Sequence, residues 1–115
     1  MKSEFREKTH RMAERFLVGR GYEVIDPSPN IEAVDLVAKS EDGEIVFVAL
    51  AAKVAAEAKS ALPEDTCDRR AMELAAAEWL SSYEFTNISV RFDSIAMLIM
   101  SNSRALLRHH KNILG

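Results

Sequence analysis

The chain has 115 residues, 48% hydrophobic and 29% charged, a make-up that suits one domain with one buried core and excludes a disordered chain. Its net charge of −3 excludes a strong grip on duplex nucleic acid by overall charge. The single cysteine, Cys67, excludes an internal disulfide.

The apolar runs Ile45–Ala52 and Ile95–Met100 are too short to span a bilayer. The opening MKSEFREKTHR is charged where a signal peptide carries its apolar segment. A cytoplasmic protein with no membrane partner is expected. Charge is unevenly placed, however. Residues 1–21 hold six Lys/Arg against three acids, and residues 104–115 hold three Lys/Arg, two histidines and no acid. The stretch between them holds six Lys/Arg against fifteen acids. If the two ends meet in space, they form one basic face on an acidic body.

In chain order, Ser3 is placed to cap a helix running to about Val18, with Phe5, Met12, Ala13, Phe16 and Leu17 on one face. Gly21 ends it. Tyr22–Ile25 reads as a short strand, closed by Asp26 and broken off by Pro27 and Pro29. Ala33–Ala38 reads as a second strand, and Glu41-Asp42-Gly43-Glu44 as a hairpin turn. Ile45–Val48 is the return strand; it lacks polar alternation, so both its faces are expected to be covered.

The alanine-rich stretch Ala49–Leu62 predicts a helix that starts between Ala49 and Val54 and ends before Pro63. Asp65 is placed to cap a second long helix reaching Ser81, with Met72, Ala75, Ala76 and Trp79 as its buried stripe. Ile88, Val90 and Phe92 alternate as in a strand, and Ile95–Met100 continues it or pairs with it. Ser101–Ser103 is a turn, and Ala105–Leu114 a final strand or short helix. A strand, a helix and a further strand imply a crossover connection in a mixed sheet. The predicted fold class is α/β, one domain over residues 1–115.

Several stretches, in this order, resemble the YraN-like family of the PD-(D/E)xK nuclease superfamily. They are Ala13-x-x-Phe16-Leu17-x-x-x-Gly21-Tyr22-x-Val24-Ile25, Val34-Asp35-Leu36-Val37-Ala38, Ile45-Val46-Phe47-Val48, Ala76-x-x-Trp79-Leu80, Val90-Arg91-Phe92-Asp93 and Leu107-Arg108-His109-x-x-Asn112. The resemblance implies a restriction-endonuclease-like mixed sheet flanked by helices. It also implies a Mg²⁺ site built from an Asp and a Glu on adjacent strands, with a lysine two residues after the Glu and often a Glu from the first helix. Residue by residue, Asp35 alone matches. The family's Glu falls on Ala49, its Lys on Ala51, the Glu before its Asp motif on Ala33 and the first-helix Glu on His10. A methyl group neither binds a cation nor transfers a proton, so Mg²⁺ is expected of the family and doubtful here. Asp35 is expected to bond a backbone amide or Lys53, or to face a groove; Arg91 and Asp93, alternate residues of one strand, are expected to pair structurally.

Three functions are left open. The first is a catalytically degenerate nuclease-fold protein that binds nucleic acid weakly through Arg6, Arg11, Arg15, Arg104, Arg108 and Lys111, without cleaving it. The second is a protein–protein module, with a homo-oligomer or another protein seated on an alanine-rich groove around Ala49, Ala51, Ala52 and Ala55. The third is an active nuclease whose site has migrated to Lys53 and Glu57. A soft-metal site at His10, His109 and His110 is disfavoured, because adjacent residues of an extended chain point in opposite directions.

Overall fold

The computed structural model describes residues 2–55, 68–84, 87–100 and 104–114, with Lys2 and Ser3 described in backbone only. Helix α1 spans Lys2–Gly19. It already includes Lys2, so Ser3 is not its cap. Ala13 and Leu17 are fully buried, and Phe5, Met12 and Phe16 pack beside them on the face read from their spacing. Gly21, at φ +90°, turns the chain into β1 (Glu23–Asp26), a backbone conformation that costs glycine little.

The second strand is shorter than expected. β2 is Leu36–Lys39, because Ala33 sits at φ +73° and the preceding residues form a turn closed by an isolated bridge between Ile31 and Val34. The Asp42-Gly43 hairpin forms as expected, with Gly43 at φ +86° and the Ser40 N–H bonded to the Glu44 carbonyl.

The largest departure is β3, which runs ten residues, Ile45–Val54. No helix begins between Ala49 and Val54; the rest of the expected helix, residues 56–62, lies outside the described residues. The physical reason is the neighbouring strand. β4 (Val90–Ile99) pairs with β3 in parallel over ten rungs, from Ile45↔Val90 to Val54↔Ile99. A helical turn at Ala49 would forfeit six of those rungs, and sheet context overrides the helix propensity of alanine. The two apolar stretches after Ile88 are therefore one strand, and Ile88 precedes it.

Helix α2 is Arg69–Ser81, capped by Asp68, whose side chain accepts the Ala71 N–H. Asp65, proposed above as that cap, lies outside the described residues, as does the turn at residues 101–103. β5 is a strand, Ala105–His110, antiparallel to β4. The five-stranded sheet has the order β1-β2-β3-β4-β5, antiparallel except for the β3–β4 pair that α2 connects. The chain is thus an α/β fold with a mixed sheet. No described helix is long and apolar enough to cross a membrane.

The two helices lie on opposite faces of the sheet. Leu36, Ala38, Val46, Val48, Ile95 and Met97 pack with α1, while Val37, Ile45 and Phe47 pack with Ala75, Ala76 and Trp79 of α2. Successive strand residues alternate between these layers, as a pleated strand requires. Trp79 is buried between α2 and the sheet, edge-on to Phe47, and its indole N–H donates to Asp26 Oδ2 at 2.9 Å. Trp79→Phe keeps an aromatic ring but removes that donor and part of the volume. The expected cost is about 1–2 kcal/mol in urea unfolding.

Candidate functional site

Asp35 stands just before β2, where that strand stops covering β3. The exposed Leu50 N–H of β3 then needs an acceptor, and Asp35 Oδ2 supplies it at 2.7 Å. The expected backbone partner is thus found, and it is Leu50 rather than Lys53. The other oxygen, Oδ1, faces α1. Arg6 and His10, one turn apart on that helix, approach it to 3.9 Å and 3.8 Å. His10 Nδ1 lies 2.8 Å from the Arg6 carbonyl oxygen. A carbonyl only accepts, so Nδ1 carries the proton in this contact. Nε2 then faces Asp35, buried and without a hydrogen-bond partner. A cavity of about 290 Å³ beside these groups is lined by Phe5, Arg6, Thr9, His10, Asp35, Leu50 and Ala52.

That lining shows which residues of β3 lie beside Asp35. Leu50 and Ala52 pack on the α1 side with Val46 and Val48, so strand alternation turns Ala49, Ala51 and Lys53 to the opposite face. The pair proposed from the resemblance, Ala49 and Ala51, does not look at the Asp35 carboxyl. Leu50 and Ala52 do. Lys53 is exposed on that opposite face and is not brought to Asp35; Glu57 lies outside the described residues. The four alanines of the expected groove do not share one surface either, since Ala52 faces α1.

Mg²⁺ needs several oxygen ligands in near-octahedral array. Beside Asp35 lie the His10 imidazole and the Arg6 guanidinium, both near Oδ1, and in an adjoining cavity of about 250 Å³ Asn30 and Glu32, while the side chains of Leu50 and Ala52 offer no ligand atom. Among the described residues no three His, Cys, Asp or Glu side chains gather as a ligand set. The corrected geometry makes a sharp expectation. Leu50→Glu with Ala52→Lys places a second carboxylate at Asp35 and should give measurable Mn²⁺ binding by calorimetry. Ala49→Glu with Ala51→Lys should give none. Metal binding by the second variant and not the first would restore the original assignment.

The cationic residues fall into two groups. Arg6, His10 and Arg11 line a cavity of about 370 Å³ between α1 and the Pro27–Ser28 segment, and Arg11 and Arg15 line a second one further along the helix. Arg108 pairs with Ala96 across β4–β5 and, by alternation from Leu107 in the α1-side core, lies on the far face of the sheet. Arg104 precedes β5 and Lys111 follows it. The sheet therefore separates Arg108 from the α1 arginines.

A second polar cluster was only half visible in the sequence. Arg91 and Asp93 do form the expected ion pair, with two contacts of 2.9 Å and 2.8 Å. Asp93 is fully buried and also accepts from His109 Nε2 at 2.7 Å and from the Asn112 N–H at 2.9 Å. Arg91 extends the network to the Tyr22 hydroxyl and to Glu44. Burial alone would push the Asp93 carboxyl up, but the bonds from His109, Arg91 and Asn112 outweigh it and hold the group below the ordinary carboxylate range. The hydrogen bond to Asp93, opposed by partial burial, keeps Arg91 firmly protonated. His109 and His110 point to opposite faces, and His109 enters the network.

No known family's sequence profile and no curated protein matches the chain.

Proposed function

We propose that the chain is a catalytically degenerate nuclease-fold protein that binds nucleic acid along α1, through phosphates, and does not cleave it. The observation that carries this reading is the pair Arg11 and Arg15, about one turn apart on α1, with Arg6 roughly 140° round the helix from Arg11 but bordering the same cavity. Arg11 and Arg15 are exposed and make no ion pair among the described residues, and Arg6 has one long pair, 3.9 Å, to Asp35. Exposed guanidinium groups about 6 Å apart along the helix are suited to neighbouring phosphates, while Glu7 and Glu14, which line the same cavities, oppose them. The acidic remainder of the chain keeps such binding local and weak.

What supports the absence of cleavage is the lining at Asp35: Leu50 and Ala52 beside its carboxylate supply neither an oxygen ligand nor an ammonium to position water, and Arg6 is directed at the same oxygen. The test is incubation of labelled branched, single-stranded and duplex DNA with the protein, with Mg²⁺ and then with chelator. Bound but intact DNA in both is expected. Cleavage that chelator and Asp35→Ala both abolish would overturn the reading.

A further inference from the structure

The two edges of the sheet are built differently. β1 has four residues, slips register between Val24 and Asp26, carries Glu23 and Asp26, and runs into Pro27. A bulge, charged side chains and a proline are features that keep an edge strand from pairing with another chain. β5 has no bulge and no proline, and Arg108 is its one formal charge. It pairs with β4 over six uninterrupted rungs and contains no proline, glycine or acid.

The hydrogen-bond phase of β5 is fixed at its start, where the Met100 N–H donates to the Arg104 carbonyl at 2.7 Å. In an antiparallel ladder, that makes Leu106, Arg108 and His110 the residues whose backbone groups face β4. Ala105, Leu107 and His109 turn theirs to the open edge. Among the described residues no strand lies beyond β5 to receive them, and exposed ladder groups in a regular strand are a template for one more strand.

We propose that β5 pairs antiparallel with β5 of a second copy of this chain, about a two-fold axis through Leu107. In that register Leu107 faces its own equivalent, and Ala105 faces His109 of the second copy. All three outward-facing residues then exchange backbone hydrogen bonds. On the far face Leu106, 54% exposed, lies opposite Arg108 of the second copy. Moving the axis to Arg108 would set two guanidinium groups face to face, and moving it to Leu106 would leave His109 unpaired. The contact is one strand wide, less than a permanent dimer buries, so monomer and dimer exchange. This inference is independent of the nucleic-acid reading, because the paired groups are the backbone of β5 and not the arginines of α1.

Sedimentation velocity across a wide concentration range tests it. A reversible monomer–dimer equilibrium is expected. Leu106→Lys sets a cation opposite Arg108 and should weaken the dimer by about tenfold or more. Leu106→Glu should tighten it, and Leu106→Lys combined with Arg108→Glu should restore it. The Leu106 side chain is exposed, so far-UV circular dichroism should be unchanged in each variant. A monomer at every concentration would overturn the proposal. So would a dimer that Leu106→Lys leaves untouched, or one that the double variant fails to restore, since another surface or register would then hold it.

Discussion

Asp93→Ala is expected to destabilise the domain by about 3–5 kcal/mol, the usual cost of breaking a buried ion pair by removing one partner. The carboxylate has no solvent exposure and accepts from Arg91, His109 and the Asn112 N–H. Its loss leaves a guanidinium, an imidazole and an amide without their acceptor. It also removes one of two ties that hold the chain end to β4, leaving the Ile113 N–H on the Phe92 carbonyl. Urea unfolding measures the effect. Its pH dependence has a definite sign. The folded-state pKa of Asp93 lies below the ordinary carboxylate value of about 4, so the native state holds its proton less tightly than the unfolded chain. The stabilisation is present in full above that value and is lost as pH falls below it, towards the folded-state pKa. Asp93→Ala should therefore flatten the acid limb of the stability profile relative to the parent. An unchanged limb would show that other carboxyls set it.

The second large effect concerns binding. Arg6→Glu, Arg11→Glu and Arg15→Glu together should reduce nucleic-acid affinity on the order of 100-fold at low salt, because each removes a phosphate contact and adds a repulsive charge. For the parent, three contacts imply that affinity falls roughly 20–40-fold between about 50 and 200 mM salt. Reversing Arg108, on the far face of the sheet, should matter much less. Arg11 and Arg15 are exposed side chains, so the triple variant should fold; Arg6→Glu does place an acid near Asp35, and a thermal melt reports any cost.

Much of the fold was legible because local signals agreed with their surroundings. Asp42-Gly43 between apolar runs gave the hairpin, and Met72, Ala75, Ala76 and Trp79 at helical spacing gave the buried stripe of α2. Ala49–Val54 was misread because alanine favours a helix by propensity, while the deciding influence is a parallel partner more than forty residues away. Val34-Asp35-Leu36 singled out the carboxylate, yet motif spacing cannot say which alternate residues of β3 face α1. That depends on Asp35 reaching across the end of β2 to the Leu50 N–H. The Arg91–Asp93 pair could be read from two alternate residues of one strand. Its links to Tyr22, Glu44 and His109 join positions 69, 47 and 16 residues apart, and no local pattern announces them.

The central claim, that α1 carries a phosphate-binding surface in a non-cleaving nuclease fold, meets its most direct test in fluorescence anisotropy of labelled single-stranded, duplex and branched DNA. The parent chain and the triple arginine variant are titrated side by side, in Mg²⁺ and in chelator, at two salt concentrations. The account predicts weak, salt-sensitive binding by the parent, with Mg²⁺ acting only as added salt, and near-complete loss in the variant. Equal affinity of the two proteins, or affinity indifferent to salt, would contradict it.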